Sequence, residues 1–275
     1  MTKTVLILGI TSDIGRELAA RFERDSWSVV GTHRPGTDPK VPKGARWTLL
    51  NCDLSRKGSV NAATSRCHDM RLQWDLLVLA AGTVEPIGPY VEADADAWES
   101  GFSVNALAPL RFLRAVYDLR NRAGTPGVAM FSGSGTNGAA PSYSAYCASK
   151  IVLIKMCELL DAESADTSFF IIGPGIVRTK IHRQTLDAKA RSGDNYRKVT
   201  DFLKSDKPGT SHDEIYACLK WCLEAGKAAV GGRNISLVHD EWRGGSSLAA
   251  ALRIEDALYK LRRHGNDRIF PSPSK

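Results

Sequence analysis

The chain has 275 residues and a formal net charge of +7, with 37 Lys and Arg against 30 Asp and Glu. Hydrophobic residues make up 43% and charged residues 24%, an ordinary globular usage that excludes a disordered, low-complexity or collagen-like chain. The positive charge is mild and spread out, without the basic cluster and interleaved aromatics of a nucleic-acid surface.

Short apolar runs alternate with segments of helical spacing along the chain. Strands are predicted at 5–8, 28–32, 47–52, 75–80, 127–131, 168–172 and 234–238. Helices are predicted at 16–24, 56–70, 96–121, 143–160 and 212–224. This alternation predicts an α/β fold: one doubly wound, Rossmann-like domain with a parallel sheet, right-handed crossovers and helices on both faces.

We expect residues 1–240 to form one domain, and 241–275 to extend it. The polar, basic segment 176–212 would be an insertion over the carboxyl edge of the sheet, where ligands bind in such folds. A flexible solvated loop is the alternative for this segment. A basic stretch near the C-terminus is interpreted as a solvated helix face, and it consists of Lys260, Arg262, Arg263 and Arg268.

Six cysteines occur without a C-x-x-C pair, and Cys218 and Cys222 are expected in the core, so no metal site is predicted. Met1 leads directly into a strand without a signal-peptide pattern. No apolar stretch reaches the ~18 residues of a transmembrane helix. We therefore expect a cytoplasmic protein with no membrane or nucleic-acid partner.

The turn after the first strand begins at Gly9 and ends at Gly15. Gly9 permits the tight turn and Gly15 lets the helix pack close, so backbone N–H groups at the helix N-terminus face an anion. Thr11 and Ser12 supply hydroxyls that suit phosphate or simply cap the helix. Asp13 would repel a pyrophosphate, so we expect it to bond backbone amides and point away. A plain strand-to-helix turn is the alternative.

The second predicted strand ends at Gly31-Thr32-His33-Arg34, with no carboxylate to accept from a ribose 2′-hydroxyl. Arg34 could pair with a 2′-phosphate, which favours NADP(H) over NAD(H). Asp53 could receive the adenine amino group, or only cap the next helix with Ser55.

Tyr146 and Lys150 are spaced i, i+4 at the start of a predicted helix, which puts both side chains on one face. A neighbouring ammonium stabilises tyrosinate and lowers the phenol pKa from its usual value near ~10. Such a tyrosine can give a proton to a carbonyl oxygen or take one from an alcohol. The pair alone is common by chance.

With its surrounding motifs, the chain resembles the short-chain dehydrogenase/reductase family of the non-extended type. The resemblance covers about 5–240 and rests on Gly9-x-x-x-Asp13-x-Gly15, Asp53-Leu54, Ala80-Ala81-Gly82, Asn105, Ser132-Gly-Ser-Gly135, Tyr146-Cys-Ala-Ser-Lys150 and Pro174-Gly175-Ile-Val-Arg-Thr179. Two positions depart from the family pattern: Asp13 stands where Gly is usual, and Ala80 where Asn is usual.

The resemblance implies that Tyr146 is the general acid/base and that Lys150 lowers its pKa and holds the nicotinamide ribose. Asn105 would kink the long helix and hold a water that links Lys150 to solvent. Pro174, Gly175 and Thr179 would contact the nicotinamide end. The complete implied cofactor set is Gly9, Thr11, Ser12, Ile14, Gly15, Arg34, Asp53, Leu54, Ala81, Gly82, Tyr146, Lys150, Pro174, Gly175, Val177 and Thr179.

The catalytic serine is ambiguous. The family places it thirteen residues before the tyrosine, which here is Gly133, flanked by Ser132 and Ser134. We favour Ser132, because its loop matches the family pattern if one residue is inserted after Gly138; Ser134 stays open. The serine hydroxyl would stabilise charge on the substrate oxygen.

The resemblance implies that 1–240 is a dinucleotide-binding and catalytic domain that acts on a small-molecule substrate. It also implies a homodimer or homotetramer that buries the helices at 96–121 and 143–160. The C-terminal region, from Gly232 to Trp242 and beyond, resembles a carbohydrate-pathway branch, so a sugar derivative is the first substrate prediction. A 3-oxoacyl thioester is the second. A cofactor-binding regulator without turnover is the alternative from another class of function.

Overall fold

The computed structural model describes residues 2–244 and 246–263. Its seven strands are β1 (Thr4–Leu8), β2 (Ser28–His33), β3 (Thr48–Asn51), β4 (Leu76–Leu79), β5 (Gly127–Phe131), β6 (Ser168–Gly173) and β7 (Asn234–Ser236). They form one parallel sheet in the order β3-β2-β1-β4-β5-β6-β7, which confirms the predicted Rossmann-like fold. The strand order reverses between β1 and β4, and such a switch point opens a ligand crevice at the carboxyl edge.

The α-helices are α1 (Asp13–Arg24), α2 (Lys57–Asp69), α3 (Ala95–Phe102), α4 (Ala108–Val116), α5 (Ser144–Glu163), α6 (His182–Ala188), α7 (Asp194–Lys204), α8 (His212–Ala225), α9 (Lys227–Val230) and α10 (Ser246–Ile254). A π-helical turn, Ser103–Leu107, joins α3 to α4, and short 3₁₀ turns lie at Tyr90–Glu92, Tyr117–Leu119 and Lys189–Ser192. No helix in the described part of the chain is long and apolar enough to cross a bilayer.

The sheet is buried on both faces, which explains the unbroken apolar runs of its strands. On β1, Val5 and Ile7 enter one core, under α1, α8, α9 and α10, while Leu6 and Leu8 enter the other, under α2, α4 and α5. Successive side chains enter the two cores in turn, because neighbouring residues of a strand point to opposite faces of the sheet. The crevice therefore rests on a rigid base.

The structure corrects several sequence-based boundaries. The helix predicted at 96–121 is interrupted by the π-helical turn. The segment 176–212 is not a flexible loop, the alternative left open from the sequence, but carries α6 and α7, because Val199 and Phe202 give α7 a buried face. The helix predicted at 16–24 begins earlier, at Asp13, because Ser12 caps it. The final strand ends at Ser236 and not at 238.

The part of the C-terminal extension that the structure describes packs on the same core through Trp242, Ala249 and Leu252. The basic stretch is not a helix face, since α10 ends at Ile254 and turns follow. Arg262 instead makes two hydrogen bonds to the carboxylate of Glu158 on α5, at 2.7 and 3.0 Å. Arg268 lies outside the described residues.

Candidate active site

The glycine turn lies at the crevice between β1 and β4. Gly9 has a φ of +90°, which favours glycine, and a Cβ there would stand 2.7 Å from the Cβ of Ala81. A Cβ on Gly15 would lie 2.5 Å from the carbonyl oxygen of Gly9. Both glycines are therefore required for the close approach of β1, α1 and the turn after β4, as the sequence predicted.

The turn offers free donors to an anion. Ser12 caps α1 by accepting from the N–H of Gly15 at 3.0 Å, which is the capping role left open from the sequence. Within the described residues, the backbone N–H groups of Thr11, Asp13 and Ile14 have no hydrogen-bond acceptor. Three unpaired amides at the positive end of a helix fit a phosphate group. The residues present therefore suit the diphosphate of a dinucleotide.

Asp13 is held by the chain that follows β6. Its Oδ2 accepts from the backbone N–H of Lys180 at 2.6 Å, and its Oδ1 lies 3.6 Å from the guanidinium of Arg16. The carboxylate thus bonds a backbone amide as expected, although the amide belongs to a residue 167 positions away. Lys180 also donates from Nζ to the carbonyl oxygen of Thr11.

At the other end of the crevice, Arg34 follows β2 and is exposed. Its guanidinium donates no hydrogen bond to any residue that the structure describes. Asp53 accepts from the N–H of Ser55 at 3.0 Å and from its hydroxyl at 2.7 Å. The pKa of Asp53 is lowered by the bond from the Ser55 hydroxyl and, more weakly, by the charge of Arg34. Asp53 therefore closes a turn with Ser55 and does not cap α2, because the N-cap of that helix is Arg56 and has no side-chain capping bond. Leu54 packs on the core beside it.

Tyr146 and Lys150 lie on one face of α5, as predicted, and both are buried. Lys150 Nζ is 5.5 Å from the centroid of the Tyr146 ring and donates to the carbonyl oxygen of Phe131 at 3.0 Å. A Cβ placed on Gly82 would stand 3.4 Å from Asn105 Oδ1 and 4.0 Å from Lys150 Nζ. Gly82 thus lies between the amide and the ammonium.

Burial affects the two titrating groups in opposite directions. It raises the pKa of the Tyr146 phenol and lowers the pKa of Lys150 to about 8. A low-dielectric environment disfavours the charged form of each group, so it keeps the phenol protonated and makes the ammonium easier to deprotonate. The predicted lowering of the Tyr146 pKa by Lys150 is not seen in this structure, because burial dominates.

Asn105 lies within the π-helical turn and is buried. Its Oδ1 accepts from the N–H of Thr83 at 2.8 Å, and its Nδ2 donates to the carbonyl of the same residue at 2.8 Å. The side chain therefore ties the irregular turn to the loop that follows β4. π-Helical turns often mark functional sites, and this one coincides with the predicted kink.

The serine loop differs from the sequence-based picture. The Ser132 hydroxyl donates to Asn234 Oδ1 on β7 at 3.0 Å, and Ser134 is exposed. Gly133 lies against Tyr146, so closely that a Cβ there would overlap the tyrosine hydroxyl. The choice between Ser132 and Ser134 stays a prediction.

The segment after β6 covers the crevice. Gly175 has a φ of +72°, and a Cβ there would stand 2.5 Å from Val238. Pro174 and Val177 are buried, while Thr179 is half-buried. On α6, Gln184 Oε1 accepts from the N–H of Val84 at 2.9 Å. The sequence placed Gln184 only within a basic, polar segment, and nothing there marks its amide as a bridge to a loop 100 residues away.

An apolar cluster surrounds the tyrosine. Val84, Ile87, Tyr143 and Ala188 pack with Tyr146, and the Tyr143 hydroxyl lies 2.5 Å from that of Thr185. These contacts bring together the loop after β4, the start of α5 and helix α6. Within residues 2–244 and 246–263, no three His, Cys, Asp or Glu side chains are grouped closely enough to hold a metal.

Comparison with known proteins agrees with this geometry. The family model described as short chain dehydrogenase matches residues 3–190. An uncharacterized oxidoreductase of Schizosaccharomyces pombe is 28% identical over 202 residues, covering 70% of this chain and 80% of its own length.

Solved structures share the fold. A short-chain dehydrogenase/reductase from Saccharomyces cerevisiae superposes with a TM-score of 0.74 at 21% identity, covering 88% of this chain and 98% of its own. A short-chain dehydrogenase/reductase from Burkholderia multivorans, solved with bound NADP, gives a TM-score of 0.67 at 21% identity and covers 87% of this chain and 98% of its own.

Proposed function

Because this chain belongs to the short-chain dehydrogenase family, and is an oxidoreductase of the kind that binds a nicotinamide dinucleotide, we propose that it interconverts a carbonyl and a secondary alcohol, with Tyr146 as general acid/base. The observation that carries this proposal is that Lys150 and Asn105 meet at Gly82, beside the glycine turn, while Tyr146 lies on the same buried face of α5 as Lys150. A module that only bound a dinucleotide would not need a buried phenol and a buried amine together.

The nicotinamide supplies or accepts the hydride when the cofactor is bound. Tyr146 gives its phenolic proton to the carbonyl oxygen in reduction and takes a proton from the alcohol in oxidation. Because burial raises its pKa, the phenol is protonated at neutral pH and is ready to act as the acid in reduction. Lys150, with a pKa of about 8, can return a proton to the phenolate through its ammonium.

Among the chain's other groups, Asn105 fixes the loop after β4 through Thr83 and so keeps Gly82 beside the ammonium. Ser132 is our proposed donor to the substrate oxygen, and Ser134 the alternative. Thr179 and Pro174 would hold the nicotinamide end. For the cofactor, we propose NADP(H), supported by the exposed guanidinium of Arg34 at the end of β2 and by the lack of a carboxylate there.

For the substrate, two observations favour different classes of compound. The C-terminal region resembles a carbohydrate-pathway branch, which favours a sugar derivative. The side chains packed with Tyr146 are apolar, which favours an apolar group next to the reacting carbon and suits a 3-oxoacyl chain or a deoxygenated sugar face. A panel of carbonyl substrates that spans both polarities separates these candidates.

The test compares Tyr146→Phe with Tyr143→Phe, a matched control that removes a hydroxyl bonded only to Thr185 in the described residues. With NADPH and the best carbonyl of the panel, Tyr146→Phe should lower kcat by about 10²–10⁴-fold, because the proton donor is lost. Tyr143→Phe should change kcat far less.

Binding of NADPH, followed by its fluorescence, should persist in Tyr146→Phe. Equal turnover by Tyr146→Phe and wild type would refute the mechanism. Tight NADPH binding without turnover of any carbonyl in the panel would favour the regulator instead.

A further inference from the structure

Lys180 stands where the chain leaves β6 and passes over the glycine turn. It makes two contacts with that turn: its backbone N–H donates to Asp13 at 2.6 Å, and its ammonium donates to the carbonyl oxygen of Thr11. The ammonium is thus fixed on the same short turn whose amides at Thr11, Asp13 and Ile14 have no acceptor among the described residues.

The charges of the turn need a compensating cation. Asp13 brings a carboxylate, only 16% exposed, to a turn that otherwise suits an anion. Arg16 is already shared between Asp13 at 3.6 Å and Glu17 at 3.8 Å. No carboxylate in the described part of the chain lies within ion-pair distance of Lys180 Nζ. The ammonium of Lys180 is therefore the cation at this turn that remains available for an anionic ligand.

We propose that Lys180 binds the diphosphate of the nicotinamide cofactor and offsets the repulsion from Asp13. The proposal rests on the proposed function and adds a residue to its cofactor site. Asp13 positions Lys180 through the backbone, while the side chain of Lys180 supplies the charge. The two residues act as a pair: the carboxylate that weakens the phosphate site also orients the residue that restores it.

The competing explanation is that Lys180 is only a structural clamp, which holds the glycine turn in place without touching the ligand. The two explanations predict different effects on ligand affinity. A clamp would stabilise the turn for every ligand, whereas a phosphate contact acts only on ligands that carry a diphosphate. The probes are therefore ADP-ribose, which has the diphosphate but no 2′-phosphate, and 2′-AMP, which has the reverse. Kd values are measured by calorimetry on the full chain, with no substrate present.

Lys180→Met should weaken ADP-ribose and NADPH about tenfold, the usual loss for one charge-assisted hydrogen bond, and leave 2′-AMP unchanged. Lys180→Arg should retain most of the affinity. Arg34→Met is the matched control, because Arg34 is the proposed contact of the 2′-phosphate. This variant should bind 2′-AMP and NADPH more weakly and should bind ADP-ribose as the wild type does.

Asp13→Asn should change the affinity for ADP-ribose in the opposite direction. The amide oxygen can still accept from the backbone of Lys180, but the negative charge is gone, so ADP-ribose should bind several-fold more tightly. The gain should be smaller at high salt, because exposed charges are screened.

Equal affinities of Lys180→Met and wild type for ADP-ribose would overturn the proposal. So would an equal loss for ADP-ribose and 2′-AMP, which would identify a clamp. If the wild type binds no dinucleotide, the proposed function fails, and this proposal fails with it. If the wild type binds and only the Lys180 comparison fails, the proposed function stands.

Discussion

At the scale of single residues, the proposed reaction depends on two groups whose charged forms are disfavoured by burial. The pKa of Tyr146 is raised and that of Lys150 is lowered to about 8, both through desolvation. A charged amine in this site costs folding free energy, and the proposed mechanism accounts for that cost because the ammonium would serve the phenol. Catalytic groups often destabilise the fold that holds them.

Lys150→Met should therefore abolish turnover and yet raise the free energy of unfolding by about 1–2 kcal/mol at pH 7, net of the lost bond to Phe131. The folded pKa of Lys150, about 8, lies below its usual 10.5, so the unfolded chain holds more protons between these values and wild-type stability rises with pH there. The extra free energy of unfolding of the variant relative to wild type should be largest below pH 8 and should vanish by about pH 10.5. Urea unfolding at several pH values checks this, and a gain that does not depend on pH would contradict it.

Helical spacing could predict that Tyr146 and Lys150 share one face, and the surrounding motifs singled the pair out. The sequence could not predict the protonation of Tyr146, which depends on burial by Val84, Ile87 and Ala188 from distant segments. Nor could it resolve the serine, since the Ser132 hydroxyl is directed by Asn234, 102 positions away on β7.

At the scale of elements, the π-helical turn and α6 meet the same loop from two sides. Asn105 binds Thr83 through both backbone groups, and Gln184 accepts from the N–H of Val84 and the hydroxyl of Thr83. The loop after β4 is thereby fixed between a rigid helix and a helix of the covering segment. The prediction of 96–121 as one continuous helix was wrong. A π-helical turn adds a single residue to one turn of the helix, and this is too small a change to be seen in the spacing of apolar residues.

Gln184→Ala should raise KM for the carbonyl substrate about tenfold, because two acceptor contacts to the loop are lost and α6 is less firmly held over the crevice. The Kd for NADPH should change little. Arg183→Ala is the control, since Arg183 is exposed on the same helix. Steady-state kinetics with both variants checks this, and an equal rise in KM for the two would count against a role for Gln184.

At the scale of the whole molecule, the chain covers its own sheet edge. β7 is the edge strand of the sheet that the structure describes, and the N–H of Asn234 donates to the carbonyl of Tyr259 at 2.8 Å. The buried guanidinium of Arg233 donates to the carbonyls of Leu252 at 2.6 Å and Glu255 at 3.0 Å, which fixes the end of α10. An edge strand satisfied in this way is a poor template for pairing with a second copy. The proposed oligomer would therefore form through helices.

Leu107, at the π-helical turn, is 47% exposed on the side predicted to meet a partner. We expect wild type to have the mass of at least a dimer by light scattering, and Leu107→Asp to shift it toward the monomer, because a charge is costly in an apolar interface. Ile254→Asp is the control, since Ile254 is 81% exposed at the end of α10. A monomeric wild type would exclude the oligomer.

The contacts at the two ends of one short segment also constrain the order of events in turnover. Lys180 is bonded to the turn that would hold the cofactor, and Gln184 to the loop beside Tyr146. Since the same stretch of chain contacts both, we expect a nucleotide bound at the Lys180 end to help position the segment for the substrate at the Gln184 end. We therefore expect compulsory-order kinetics, with the nucleotide first to arrive and last to leave, and product inhibition patterns that are competitive only between the two nucleotide forms.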